Sequence, residues 1–137
     1  MSNKSPRGIR NNNPGNIVNT PTHWLGERLR KLDPTFEEFE TPVMGLRALA
    51  VLLLGYFERK GLDSVSSVIR RFAPPNENNT LAYINAVAHE LQVQPDQSID
   101  VRALLPALMQ AIIRHENGEQ PYSTEQIAEA ITLATNT

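Results

Sequence analysis

From Thr41 onward, apolar residues recur at the three- and four-residue spacing of a helix face, and each run is closed by residues that end helices. Thr41 is a natural cap with Pro42 at the first helical position, and Leu46, Leu49, Leu53 and Phe57 follow before Gly61 stops the run. Asp63 or Ser64 opens a second helix carrying Val65, Val68, Ile69 and Phe72, ended by Pro74 and Pro75. Asn79 or Thr80 opens a third, with Tyr83, Ile84, Val87 and Leu91 on one face. A fourth is expected from Asp100 to about His115, with Pro106 dividing a first turn from the main helix because it lacks a backbone donor. Ser123 and Gln126 form a capping-box pattern for a last helix near 124–135. The expected fold class is therefore mainly α: about five helices around one core.

The first forty residues lack this period. Asn11, Asn12, Asn13, Pro14, Gly15 and Asn16 form a dense run of turn formers, followed by Trp24. Phe36 and Phe39 flank a Glu-rich stretch that suggests a short β-ribbon, with Glu37, Glu38 and Glu40 read as solvated. Residues 1–6 are expected to be disordered. The rest of the segment is too long to be idle in a compact domain unless it lines a site.

A chain of 137 residues fits one domain, 1–137, and can bury a core without staples. There is no cysteine, which rules out disulfides and thiolate chemistry. The formal net charge of -2 disfavours nucleic-acid binding. No apolar run reaches membrane-spanning length, and the polar start lacks the apolar core of a signal peptide. Action on a cell wall would then require a carrier, such as a virion or a secretion system. His89-Glu90 and His115-Glu116 lack the second His of a zinc helix motif, so neither a metal nor another cofactor is expected.

One constellation suits chemistry. In Ile112-Ile113-Arg114-His115-Glu116-Asn117-Gly118 an apolar helix ends in a carboxylate and is broken by glycine. An acid at that place meets the negative end of the helix dipole and partial desolvation, both of which favour the neutral form. A glycosidic oxygen needs such a proton donor. The same pattern also describes an ordinary solvated helix end. Glu77, Asn78 and Asn79 precede a helix start, where simple capping competes with a place in the cleft of Glu116. Tyr83 lies on an apolar face and offers only its hydroxyl. Arg10, the amides of Asn11, Asn12, Asn13 and Asn16, and the ring of Trp24 suit sugar hydroxyls and acetamido groups, although a turn-rich loop explains them equally well.

Glu116-Asn117-Gly118, followed by Gln120-Pro121 and Ser123, resembles the catalytic Glu-Ser-Gly segment of soluble lytic transglycosylases, with Asn117 where that family has Ser. Glu77 through Val87, with Thr80 and Tyr83, resembles the Glu-Thr-Arg-x-Tyr-Val-x-x-Val segment of the same family. The order of the two is reversed here, so the resemblance implies a circularly permuted, lysozyme-like domain. Residues 7 to about 130 also resemble small phage and prophage virion proteins, through Arg7-Gly8-Ile9-Arg10-Asn11-Asn12-Asn13-Pro14-Gly15-Asn16-Ile17, the Ala73-Pro74-Pro75 to Thr80 stretch and Arg114 to Gly118. Together these imply cleavage of peptidoglycan between N-acetylmuramic acid and N-acetylglucosamine, as a lytic transglycosylase or a muramidase. Glu116 is the implied acid and base, and Glu77 the candidate second carboxylate or water-ordering group, with Glu37, Glu38 and Glu40 as outside choices. Asn117 joins the substrate-binding candidates. The rival from another class is a non-catalytic virion or wall-binding module in which Glu116 only ends a helix.

Overall fold

A computed structural model describes residues 5–74 and 79–136. Among the described residues the chain forms six helices: α1 (Arg7–Arg10), α2 (Pro42–Lys60), α3 (Val65–Phe72), α4 (Thr80–Leu91), α5 (Leu105–Asn117) and α6 (Thr124–Thr135). The fold is mainly helical, and α1 is the element that periodicity could not supply, since one turn is too short to show a period. Ser5 and Pro6 are part of the described structure; the Ser5 carbonyl accepts from Arg10 Nη1 at 2.6 Å and the Pro6 carbonyl from the Arg10 amide at 3.0 Å.

The caps explain where the helices begin. The Thr41 hydroxyl accepts from the Met44 amide with Pro42 at the start of α2, and Gly61 closes that helix in the left-handed conformation. Ser64 with Ser67, and Ser123 with Gln126, form reciprocal capping boxes on α3 and α6. The fourth predicted helix starts later than expected. Asp100 accepts from the Ala103 amide, but residues 101–104 form turns and α5 begins at Leu105. Pro106 therefore falls in the first turn, where its missing N–H costs nothing, and divides no helix. The other end runs past His115 to Asn117, where Gly118 at φ 77° stops it.

The core lies between α2 and the four helices that follow it. Leu49, Leu53, Val68, Ile84, Leu108 and Ile112 are fully buried or nearly so, and each contributes roughly 1.5–3 kcal/mol of burial. A smaller cluster of Ile17, Phe39 and Ala48, with Trp24, Met44 and Leu52 against it, ties the N-terminal segment to α2. That segment lies directly on α2: a Cβ on Gly45 would sit 1.7 Å from the Asn12 carbonyl oxygen.

The predicted ribbon reduces to two isolated antiparallel bridges, Val18 with Phe36 and Glu27 with Phe39. The expectation that its acids are solvated holds for Glu40 and fails for Glu37 and Glu38, which are buried. Side-chain partners spread over the preceding loop replace water. Lys31 Nζ lies 2.7 Å from Glu37, and Arg28 donates to Glu38 at 2.8 Å. The Leu32 and Asp33 amides each donate to Glu38 Oε2 at 2.6 Å. Asp33 in turn accepts both Arg7 donors at 2.6 Å, the Asn11 amide group, and the Thr35 and Phe36 backbone N–H groups. The Arg7 guanidinium and these N–H donors hold the Asp33 carboxyl well below the ordinary carboxylate range, against the opposing effect of its burial.

Candidate functional site

Glu116 occupies the last turn of α5, half-buried, on the wall of a cleft of about 490 Å³. The other walls come from Gly15 to Val18 and Thr20 of the N-terminal loop, Phe36, Leu52 and Tyr56 on α2, and Arg71 to Pro74 at the end of α3. Two side chains from distant parts of the chain grip the carboxylate. Asn16 Nδ2 donates to Oε1 at 2.9 Å, and the Tyr83 hydroxyl donates to Oε2 at 2.8 Å.

Each grip has a local cause. Asn16 sits at φ 51°, a left-handed backbone that asparagine tolerates better than most residues, and this turns its amide toward α5. Tyr83 is 1% exposed, its ring in the core and stacked on His115 with centroids 3.8 Å apart. Burial, and then the Glu116 charge, push the Tyr83 hydroxyl far above the usual tyrosine range, so it stays a donor. Asn117 fixes the loop behind the acid by donating to the carbonyls of Pro14 and Ile113 at 2.9 and 3.0 Å. Gly8 makes the close approach possible: a Cβ there would lie within 2.6–2.9 Å of Asn117 Oδ1, Asn16 Oδ1 and the Asn13 carbonyl.

The structure thus brings Glu116, Asn16, Tyr83 and Asn117 together. Of these, Asn16 and Glu116 line the cleft. The remaining candidates are placed elsewhere. Arg10 is exposed and donates to the Ser5 carbonyl. Asn11 is buried against Asp33, and Asn12, also at positive φ, donates to the Phe39 carbonyl. Asn13 is completely buried, donating to the carbonyls of Ile17 and Glu37 while accepting from the Ile17 amide. The surplus of amides is therefore used inside the loop, which needs left-handed turns and partners for buried backbone, rather than on a ligand. Asn79 is exposed and caps α4 through the Ala82 amide. Trp24 packs on the smaller core and lines a different concavity. Glu77 and Asn78 lie outside the described residues. Ser123, in the resembled motif, is spent on capping α6.

Sequence reasoning missed Phe36, Leu52, Tyr56 and Arg71 as cleft walls. Leu52 and Tyr56, four apart on α2, give a faint signal as a second apolar stripe beside the core face. Among the described residues no group of three or more acidic or imidazole side chains is gathered closely enough to hold a metal, and no helix is long and apolar enough to cross a membrane.

No family model matches the chain. It is 44% identical over 128 residues to protein P5 of Pseudoalteromonas phage PM2, an alignment covering 91% of this chain and 79% of that protein. The chain belongs to the protein P5 family. Membership makes it phage-related, in keeping with the resemblance to virion proteins. At this identity and coverage, the P5-family relationship extends over nearly all of the fold described above.

Proposed function

We propose that this P5-family protein cleaves the glycan strand of bacterial peptidoglycan between N-acetylmuramic acid and N-acetylglucosamine, carried to the wall by a virion or a phage-derived secretion machine. The observation that carries the reading is Glu116, held by two side-chain donors on the wall of a cleft of about 490 Å³. Clefts of roughly 300–1,000 Å³ are the usual size for binding sites of this kind. Glu116 gives its proton to the bridging oxygen as the glycosidic bond breaks. The resulting carboxylate then takes a proton from the muramic 6-hydroxyl, giving a 1,6-anhydro end, or from water, giving a reducing end. Glu116 is the single carboxylate among the described residues lining the cleft. One carboxylate suffices for the anhydro route, because there the nucleophile belongs to the substrate, whereas hydrolysis ordinarily uses a second acid, for which Glu77 is the candidate.

The same two hydrogen bonds also tie the N-terminal loop and α4 to α5, which favours a second reading: a non-catalytic wall-binding or virion module with Glu116 as a structural clasp. Incubation of the purified protein with peptidoglycan, with products read by mass spectrometry, separates the cases. Anhydro ends identify a transglycosylase, reducing ends a muramidase, and no release leaves the module. Glu116→Gln is expected to abolish release and spare binding; release that survives it removes Glu116 from the role.

A further inference from the structure

Among the described residues, Arg47 is a buried cation that the rest of the fold leaves without a counter-charge. It lies on α2 between the fully buried Leu46 and Ala48, and is itself only 8% exposed. Its Nε is buried with no hydrogen-bond partner. The buried acids nearby in sequence are already taken: Asp33 by Arg7, Glu37 by Lys31 and Glu38 by Arg28. Glu27 accepts the Trp24 amide and pairs with Lys31. A guanidinium removed from water without a counter-charge is costly, and native folds normally pair it.

The Arg47 side chain opens instead on a concavity of about 610 Å³, bounded by Thr22, His23, Trp24, Leu25 and, one turn along α2, Val51. The rim has a defined chemistry. Trp24 is half-buried and wedged against Ile17, Phe39 and Ala48, which fixes the indole. The His23 side chain is 92% exposed. Leu25 and Val51 supply apolar wall. None of these residues lines the Glu116 cleft.

We infer that this concavity is a second binding site, which takes an acidic sugar: the ring lies against the Trp24 indole and its oxyanion, carboxylate or phosphate, pairs with the Arg47 guanidinium. A planar guanidinium matches either oxyanion through two parallel hydrogen bonds, and an indole offers the flat face against which a sugar ring packs. The Thr22 hydroxyl and Nε2 of the His23 ring, whose Nδ1 lies 3.3 Å from Glu27 Oε2, add donors at the mouth. The inference is independent of the reading of Glu116.

Trp24 is the single tryptophan of the chain, so its fluorescence reports this site alone. The probes are N-acetylmuramic acid, N-acetylglucosamine 1-phosphate and neutral N-acetylglucosamine, titrated at equal ionic strength. A saturable change with one or both acidic sugars is expected, at least tenfold tighter than with the neutral one. A response to the first acid alone identifies a carboxylate source, and to the second alone a phosphate source. Arg47→Gln should remove the response and, by deleting an unpaired buried charge, melt no lower than the wild type. Should that variant not fold, the exposed-loop variant His23→Ala with Thr22→Val replaces it and is expected to weaken binding several-fold. Glu116→Gln should respond like the wild type, so the two proposals fail separately. No response to either acid, an equal response to the neutral sugar, or unaltered binding in the Arg47 or loop variant overturns the inference.

Discussion

Removing one oxygen atom tests how Glu116 is held. Tyr83→Phe keeps the ring in the core and against His115, but deletes the donor 2.8 Å from Glu116 Oε2. No sizeable cavity forms, so the cost is that of one hydrogen bond, about 1 kcal/mol where Glu116 holds its proton and roughly 1.5–3 kcal/mol where it is a carboxylate. Glu116 is half-buried and keeps Asn16 as a donor, and water can reach its other edge, which places the expected loss near ~1.5 kcal/mol. For a chain of this length that lowers Tm by roughly 3–8 °C. Denaturant unfolding followed by circular dichroism measures the loss, and a cycle with Glu116→Ala isolates the pair, with an expected coupling of about 1 kcal/mol or more. In the peptidoglycan-release assay the loosened carboxylate should lower kcat about 10–100-fold and leave KM nearly unchanged. A Tyr83→Phe protein as stable as the wild type, with no coupling to Glu116, would refute the argument that this contact holds the acid in place.

Other consequences follow from the same structure. Gly45→Ala places a methyl group onto the Asn12 backbone oxygen, so the N-terminal loop must lift from α2; destabilisation of about 3 kcal/mol or more is expected in denaturant unfolding, with faster amide exchange confined first to that loop. Asp33→Asn should cost about 2–3 kcal/mol at pH 7. The folded-state pKa of Asp33 is depressed, so its contribution is full above the unfolded value and fades as pH falls; the gap between wild type and variant should therefore close in acid, and a gap that widens there would contradict the assignment. At high pH the sign reverses. Burial holds Tyr83 neutral and pushes Tyr122 up to about 12, so both contribute stability that is complete below the unfolded value near ~10 and is lost as pH rises, at about 1.4 kcal/mol per pH unit for each. The Tyr83 share of the tyrosinate absorbance should accordingly appear together with unfolding, not before it.

Much of the helical frame was legible because it depends on near neighbours. The caps at Thr41, Ser64, Asn79 and Ser123 act within three residues, and the stripe Leu46, Leu49, Leu53 follows from helix geometry alone. The late start of α5 was hidden because Asp100 makes a capping-type bond into a turn that does not continue as a helix. The acids of 37–40 misled for a different reason: local pattern says nothing of Arg28 and Lys31 folding back over them.

The sequence by itself determined the helices from α2 to α6, most of their ends, and that a carboxylate would stand at the tail of α5, since these rest on spacing and on backbone donors and acceptors close along the chain. Only the tertiary structure decided which residues meet that carboxylate. Asn16 lies 100 positions from Glu116 and Tyr83 lies 33 away, so their meeting depends on how α1, the loop and α4 pack on α5, and on a glycine at position 8 small enough to let them. The same packing parted Trp24 from Glu116 and set it beside Arg47, because side-chain burial is a property of the assembled core and no local rule contains it.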